Sequence, residues 1–152
     1  LAKPKGFFLE SFGFSQHLRK GFFMYKTYDE MRRIAVKYYN DMNFCTVIAL
    51  AVCCNVGIGK AYHTMKRLGR KDRQGAKYGT IHKAIVELGY THKTIDGLYN
   101  KQVKSLPNLL PSKGLFMVHV RGHVLAVRDG KILDWTEGRA HRILTAYEIV
   151  KA

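Results

Sequence analysis

A chain of 152 residues with 47% apolar content holds enough hydrophobic material for one compact domain with an appended arm, and global disorder is excluded. No apolar run approaches about 18 residues, so no membrane span is expected. The net charge is +15, from 26 Lys and Arg against 11 Asp and Glu, and such a field attracts polyanions: nucleic acid, an acidic protein surface or anionic lipid. A solvated basic surface accounts for the same excess. Three cysteines, Cys45, Cys53 and Cys54, do not make a disulfide framework. On one helix the last two stand about 12 Å from the first, at 1.5 Å per residue, so reduced thiols and an intracellular compartment are expected.

Residues 1–25 are rich in Gly, Phe and Lys, and Lys5-Gly-Phe-Phe8 recurs as Lys20-Gly-Phe-Phe23. They read as a basic arm in front of a domain at 26–152. The chain begins at Leu1, so processing or a longer parent is expected, with Met24 as an alternative start. Residues 28–39 predict a helix with Met31, Ile34, Ala35 and Tyr38 on its buried side. Asn40 to Phe44 is a polar break. Cys45 to about Asn55 predicts a buried helix of small apolar residues, ended by Gly57 and Gly59. Lys60 to Leu68 follows as a helix with Ala61, Met65 and Leu68 on one side. Gly69 to Tyr78 is a basic loop, and Thr80 to Leu88 a further helix capped by Thr80 or Gly79.

Beyond Gly89 the period changes. Thr91 to Asp96 predicts a short strand, and Val103 to Leu110 a connection next to Pro107 and Pro111. Gly114 to Val120 and His123 to Arg128 predict strands. The second runs through Asp129-Gly130, a strong hairpin signal, into Lys131-Ile-Leu-Asp-Trp135. Ala146 to Val150 reads as a last short element. Helices first and an antiparallel sheet after them predict an α+β architecture.

Three residue types in this order belong to thiol chemistry. Cys45 opens a helix, whose N-terminal partial charge favours a thiolate; a buried structural thiol is the alternative, preferred for Cys53 and Cys54. His123 follows Gly122 at the start of a strand and is the candidate base, with His119 its nearest rival. Asp134 sits in an otherwise apolar stretch, where a carboxylate needs a partner, and His123 across the hairpin supplies one. An oxyanion hole is expected from the Cys45 N–H with Asn43, or else Asn40, although both also suit caps and turns. Trp135 either covers the Asp–His pair or fills the core. Lys66, Arg67, Arg70, Lys71, Arg73 and Lys77 form a candidate polyanion- or substrate-binding stretch, or a solvated loop. No zinc-ligand spacing involves Cys53 and Cys54, and Gly57-Ile-Gly-Lys60 is not a phosphate loop, so neither metal nor cofactor is expected.

Asn43-Phe-Cys45-Thr-Val-Ile-Ala-Leu-Ala resembles the nucleophile helix of small papain-like proteins of bacteriophages and bacteria. The later Ala61-Tyr62, Gly69-Arg70, Gly89-Tyr90, Arg121-Gly-His-Val124, Asp129-Gly130 and Asp134 are similar in order, and the His-strand-turn-strand-Asp part also resembles the C39-type peptidases. The resemblance covers roughly residues 40–136. It implies a papain-like fold with a Cys45–His123–Asp134 triad cleaving a peptide, isopeptide or related amide bond without a cofactor. It also implies residence in the host cytoplasm or in the virion. Phe44 stands where an Asp is usual. The upstream glutamine of papains has no counterpart, Tyr39 lying near its position. A basic binding module on the same scaffold, attached to nucleic acid or to a virion or host protein, is the second expectation.

Overall fold

The computed structural model describes residues 27–152; the expected arm at 1–25, with its repeated tetrapeptide and Met24, lies outside the described residues. Helix α1, Tyr28–Tyr39, starts on a capping box in which the Thr27 side chain accepts from the Glu30 N–H and the Glu30 carboxylate accepts from the Thr27 N–H, both at 3.1 Å. Asp29 and Glu30 place negative charge at the positive end of the helix dipole. Met31 and Ala35 are buried as expected, but Tyr38 is 57% exposed. The stripe runs through Tyr39 instead, whose ring meets Phe44 at 5.2 Å and Tyr62 at 4.5 Å. Positions seven and eight residues on both continue a helical stripe, and the aromatic partners choose the second.

Helix α2, Cys45–Cys53, is buried at every residue after the first, as befits a helix that is apolar all round. Neither Gly57 nor Gly59 ends it. Cys54 caps it, Asn55 turns left-handed at φ 50°, and Gly57 is the N-cap of α3, Ile58–Arg67. Gly59 lies inside α3, where the Tyr39 hydroxyl comes within 3.4 Å of the position a Cβ would take. Helix α4, Tyr78–Glu87, begins before the expected Thr80 cap, because the Lys77 carbonyl already accepts from the Thr80 and Ile81 N–H groups at 3.0 and 3.2 Å.

The sheet is antiparallel, with strands β1 (Tyr90–Thr94), β2 (Leu115–Val120), β3 (His123–Arg128), β4 (Lys131–Ile132) and β5 (Ile143–Lys151) in the order β1-β5-β2-β3-β4. The expected last short element is thus the longest strand, lying in the interior of the sheet. Asp129 and Gly130 form the predicted hairpin turn with φ of 48° and 81°, the paired positive values that such a two-residue loop needs. The strand after it is shorter than expected: past Leu133, whose N–H still reaches Ala126, the chain leaves the ladder. The helices cover one face of the sheet through Met117, Val124 and Ala126. The opposite face, with Phe116, Val118, Leu125 and Val127, is covered by the segment from Leu98 to Leu110. That connection carries a 3-10 turn at Val103–Ser105 and a one-turn helix α5, Leu106–Leu109. Among the described residues no single helix is long and apolar enough to cross a membrane.

Candidate active site

Helix α2 packs chiefly on β3. Arg121-Gly122 is the two-residue turn between β2 and β3, with Gly122 at φ 67°. The start of α2 and the start of β3 therefore meet at one end of the sheet, and Cys45 and His123 are the residues at those two starts. The His123 ring stands with Cys45 at one cleft, and its Nε2 meets Asp134 Oδ2 at 2.8 Å. With Nε2 taken, Nδ1 is the nitrogen left for the sulfur. Cys45 is half-buried and Asp134 is buried. Asp134 reaches His123 because the chain has already left the ladder. Its carboxylate then turns back to accept from the Thr136 N–H at 3.1 Å and from the Thr136 hydroxyl. Between them Trp135, 45% exposed, lays its ring 5.1 Å from that of His123. It covers the imidazole and does not fill the core.

Burial pulls the His123 pKa down, but the hydrogen bonds and charges of Asp134 and Cys45 outweigh it and raise the pKa to about 9. The other two thiols are of another kind. Burial raises Cys53 well above its ordinary value, and its Sγ–H donates to the Phe116 carbonyl at 3.4 Å. Burial raises Cys54 to about 12. A protonated, enclosed thiol is a poor nucleophile.

No family model, curated protein or solved structure matches this chain.

The backbone end of α2 is open. The first-turn N–H groups of a helix have no intrahelical carbonyl, and the N-cap, Phe44, provides no side-chain acceptor. Cys45, the first residue of the helix, stands at this end and lines the cleft. The expected side-chain donors are placed elsewhere. Asn43 donates its amide to the Arg73 carbonyl at 3.0 Å, Asn40 is the left-handed C-cap of α1, and neither lines the cleft at Cys45. Both had been chosen by nearness in sequence, but the turn from 40 to 44 carries them away. Tyr28 was not anticipated. Burial, followed by the charge of Asp134, raises its hydroxyl to about 12, with Cys45 adding to the shift. It is a neutral O–H donor close enough to Asp134 to feel its charge.

Arg70 is corrected from surface cation to internal brace. It is 3% exposed, and its Nη2 donates to Asp41 Oδ2 and to the Asn43 carbonyl, each at 2.9 Å. Its guanidinium lies 5.1 Å over the Phe44 ring. Asp41, equally enclosed, also accepts from the Asn43 and Arg73 N–H groups at 2.9 and 2.8 Å. This knot holds the residues that lead into Cys45. Of the other proposed cations, Lys66 pairs with Asp72, itself bonded by the Tyr62 hydroxyl at 2.7 Å, and Arg67 pairs with Glu87. Lys71, Arg73 and Lys77 remain exposed in the loop beside the cleft. The signal for Thr136 was present in Asp134-Trp-Thr136, a spacing at which an Asp side chain turns back on its own backbone. Nothing local marks Asp41 and Arg70 as partners.

Proposed function

We propose that this chain is a papain-like cysteine hydrolase acting on a peptide, isopeptide or related amide bond. The observation that carries this reading is the imidazole of His123, bonded to a buried carboxylate and lining one cleft with a half-buried thiol. With its pKa raised to about 9, His123 is an imidazolium at neutral pH that already holds the Cys45 proton on Nδ1, and the sulfur attacks the amide carbonyl as a thiolate. The oxyanion is met by the first-turn N–H groups of α2. The imidazolium then gives its proton to the leaving nitrogen, the C–N bond breaks, and a thioester remains on Cys45 with a free amine released. Water, deprotonated by the neutral imidazole, attacks the thioester, and the carboxylic acid leaves as the sulfur departs as a thiolate beside the re-formed imidazolium. Asp134 stays ionised, bonded to Thr136, and holds the imidazole in its tautomer.

Active-site labelling followed by mass mapping tests this. Iodoacetamide at neutral pH is expected to modify Cys45 and to spare Cys53 and Cys54 in the folded chain. Equal modification of all three thiols removes the proposal. The pH profile is a second expected outcome. The His123 pKa is raised, so the imidazolium that protonates the leaving nitrogen is present at neutral pH and is lost as pH rises through about 9. Hydrolysis therefore falls about tenfold per pH unit above that point. By the same sign, the folding stability that comes from holding this proton is complete below the ordinary histidine value and disappears on the way up to about 9. A rate still rising at pH 10 contradicts the role given to His123.

The charge supports a second, compatible reading. Lys71, Arg73 and Lys77 are exposed beside Gly75 and Ala76, which line the cleft, and the chain carries +15 overall. They draw a nucleic acid or an acidic protein surface toward the site, and that affinity weakens steeply with salt. An intracellular location, in host cytoplasm or virion, suits both readings.

A further inference from the structure

The cleft at Cys45 has a volume of about 220 Å³, and its wall includes Thr46, Tyr78, Ile81, His119 and Val120. Thr46 is 3% exposed and His119 is 1% exposed. Each carries a polar atom with no hydrogen-bond partner among the described residues, Thr46 Oγ1 and His119 Nε2. Buried polar atoms are nearly always paired, and leaving one unpaired is costly. Two of them in the wall of one recess, one residue after the nucleophile and four before His123, mark a place where something else supplies the partners.

We infer that this recess is a specificity subsite for a carboxamide side chain of the substrate, asparagine or glutamine, read jointly by Thr46 Oγ1 and His119 Nε2. The inference rests on the hydrolase reading and names the substrate class for that site. Charge is the first argument. Among the described residues no Asp, Glu, Lys or Arg lines the recess. The His119 ring lies 4.0 Å from that of Tyr78, 5.7 Å from Tyr147 and 6.3 Å from His82, with no carboxylate bonded to it. Burial and the neighbouring His82 lower its pKa to about 4, so the ring is neutral at physiological pH. A charged side chain entering here loses its water and gains no counter-ion. An aliphatic one expels water and strands both polar atoms. A carboxamide carries one acceptor and two donors, so it serves a hydroxyl and an imidazole nitrogen together, and it can turn to suit either tautomer. Tyr78, Ile81 and Val120 receive its methylenes.

The fold has placed these residues with some care for the recess. The β2–β5 ladder shifts register between His119 and Val120, the two β2 residues that line it. Such irregularities re-aim side chains next to functional sites.

The test uses the full chain and a set of acetyl-tetrapeptidyl chloromethyl ketones carrying Gln, Asn, Glu, Met or Leu in turn at each position, scored by the rate of Cys45 adduct formation. At one position Gln or Asn is expected to react about tenfold or more faster than both the isosteric Glu and the similarly sized Met. Thr46→Val and His119→Phe each shrink that preference toward Met to about threefold or less, with every rate divided by the same variant's iodoacetamide rate. Thr46→Ser keeps the preference. Thr46→Val also unfolds at a higher temperature than the parent, since it removes an unpaired buried hydroxyl. A preference for Met or Glu at every position, or a carboxamide preference that survives both variants, overturns the subsite. Failure of iodoacetamide and every ketone to modify Cys45 overturns instead the hydrolase reading beneath it.

Discussion

Cys45→Ala and His123→Ala each lower amide hydrolysis by about 10⁴- to 10⁶-fold, and the double variant is no worse than either alone. The two side chains act as one unit: the sulfur attacks only while the imidazolium holds its proton, and the leaving nitrogen departs only as the imidazolium gives that proton up. Removing one member leaves the other without a task, so the losses do not add. Cys53→Ala, by contrast, retains activity, because that thiol is buried, bonded to the Phe116 carbonyl and held protonated. His123→Ala also slows iodoacetamide at Cys45, since the imidazolium that holds the sulfur's proton is gone. Steady-state rates on a cleavable peptide, with circular dichroism to confirm folding, measure this. A His123→Ala protein within tenfold of the parent rate rules out the proposed base.

Asp41→Ala destabilises the fold by about 3–5 kcal/mol. Asp41 and Arg70 have side chains 1% and 0% exposed, and their bond is 2.9 Å long. Removing the carboxylate leaves a guanidinium buried against Phe44 with one of its partners missing, while the Asn43 and Arg73 N–H groups lose their acceptor. The cost is mainly that of the stranded cation, not the worth of the pair. Replacing both partners with apolar residues, Asp41→Leu with Arg70→Met, therefore restores most of the loss. Urea denaturation reads both outcomes as shifts in midpoint at constant slope. A double variant as unstable as the single one would show that the backbone contacts to Asp41 dominate. The exposed pairs Lys66–Asp72 and Arg67–Glu87 offer a contrast, since screened surface pairs hold little stability and their removal leaves the midpoint nearly unchanged. Because the knot leads directly into α2, Asp41→Ala also lowers the rate at Cys45 in the fraction that remains folded.

The dependence of the site on its supports follows from where they sit. Asp134 is presented by a stretch that has left the sheet and is tied back by Thr136, and Trp135 covers the imidazole from solvent. Cys45 is presented by the open end of a helix whose remaining residues are all buried. A rigid helix on one side and a short turn on the other hold the three polar groups, and the Asp41–Arg70 knot fixes the chain that leads into the helix.

Much of this was readable in the chain alone. The helical period of residues 28–39, the uniformly apolar run after Cys45 and the Asp129-Gly130 turn each act over a few neighbouring residues, and the elements they define are those observed. Cys45, His123 and Asp134 were legible because each was out of place locally: a thiol at a helix start, an imidazole after a turn glycine, a carboxylate among apolar residues. The roles of Arg70, Asn43, Asn40 and Tyr38 were not. Whether a cation is solvated or buried, or which of two adjacent aromatics faces inward, depends on a partner 29 residues away at Asp41 or on the rings of Phe44 and Tyr62. β5 was underestimated for the same reason: its length comes from pairing with β1 and β2 on either side, not from its own alternation. Local chemistry decides which elements form and which residues are exceptional, because backbone hydrogen bonds and hydrophobic period are short-range. Only the packed structure decides which exceptional residues meet, because that is set by contacts between segments far apart in the chain.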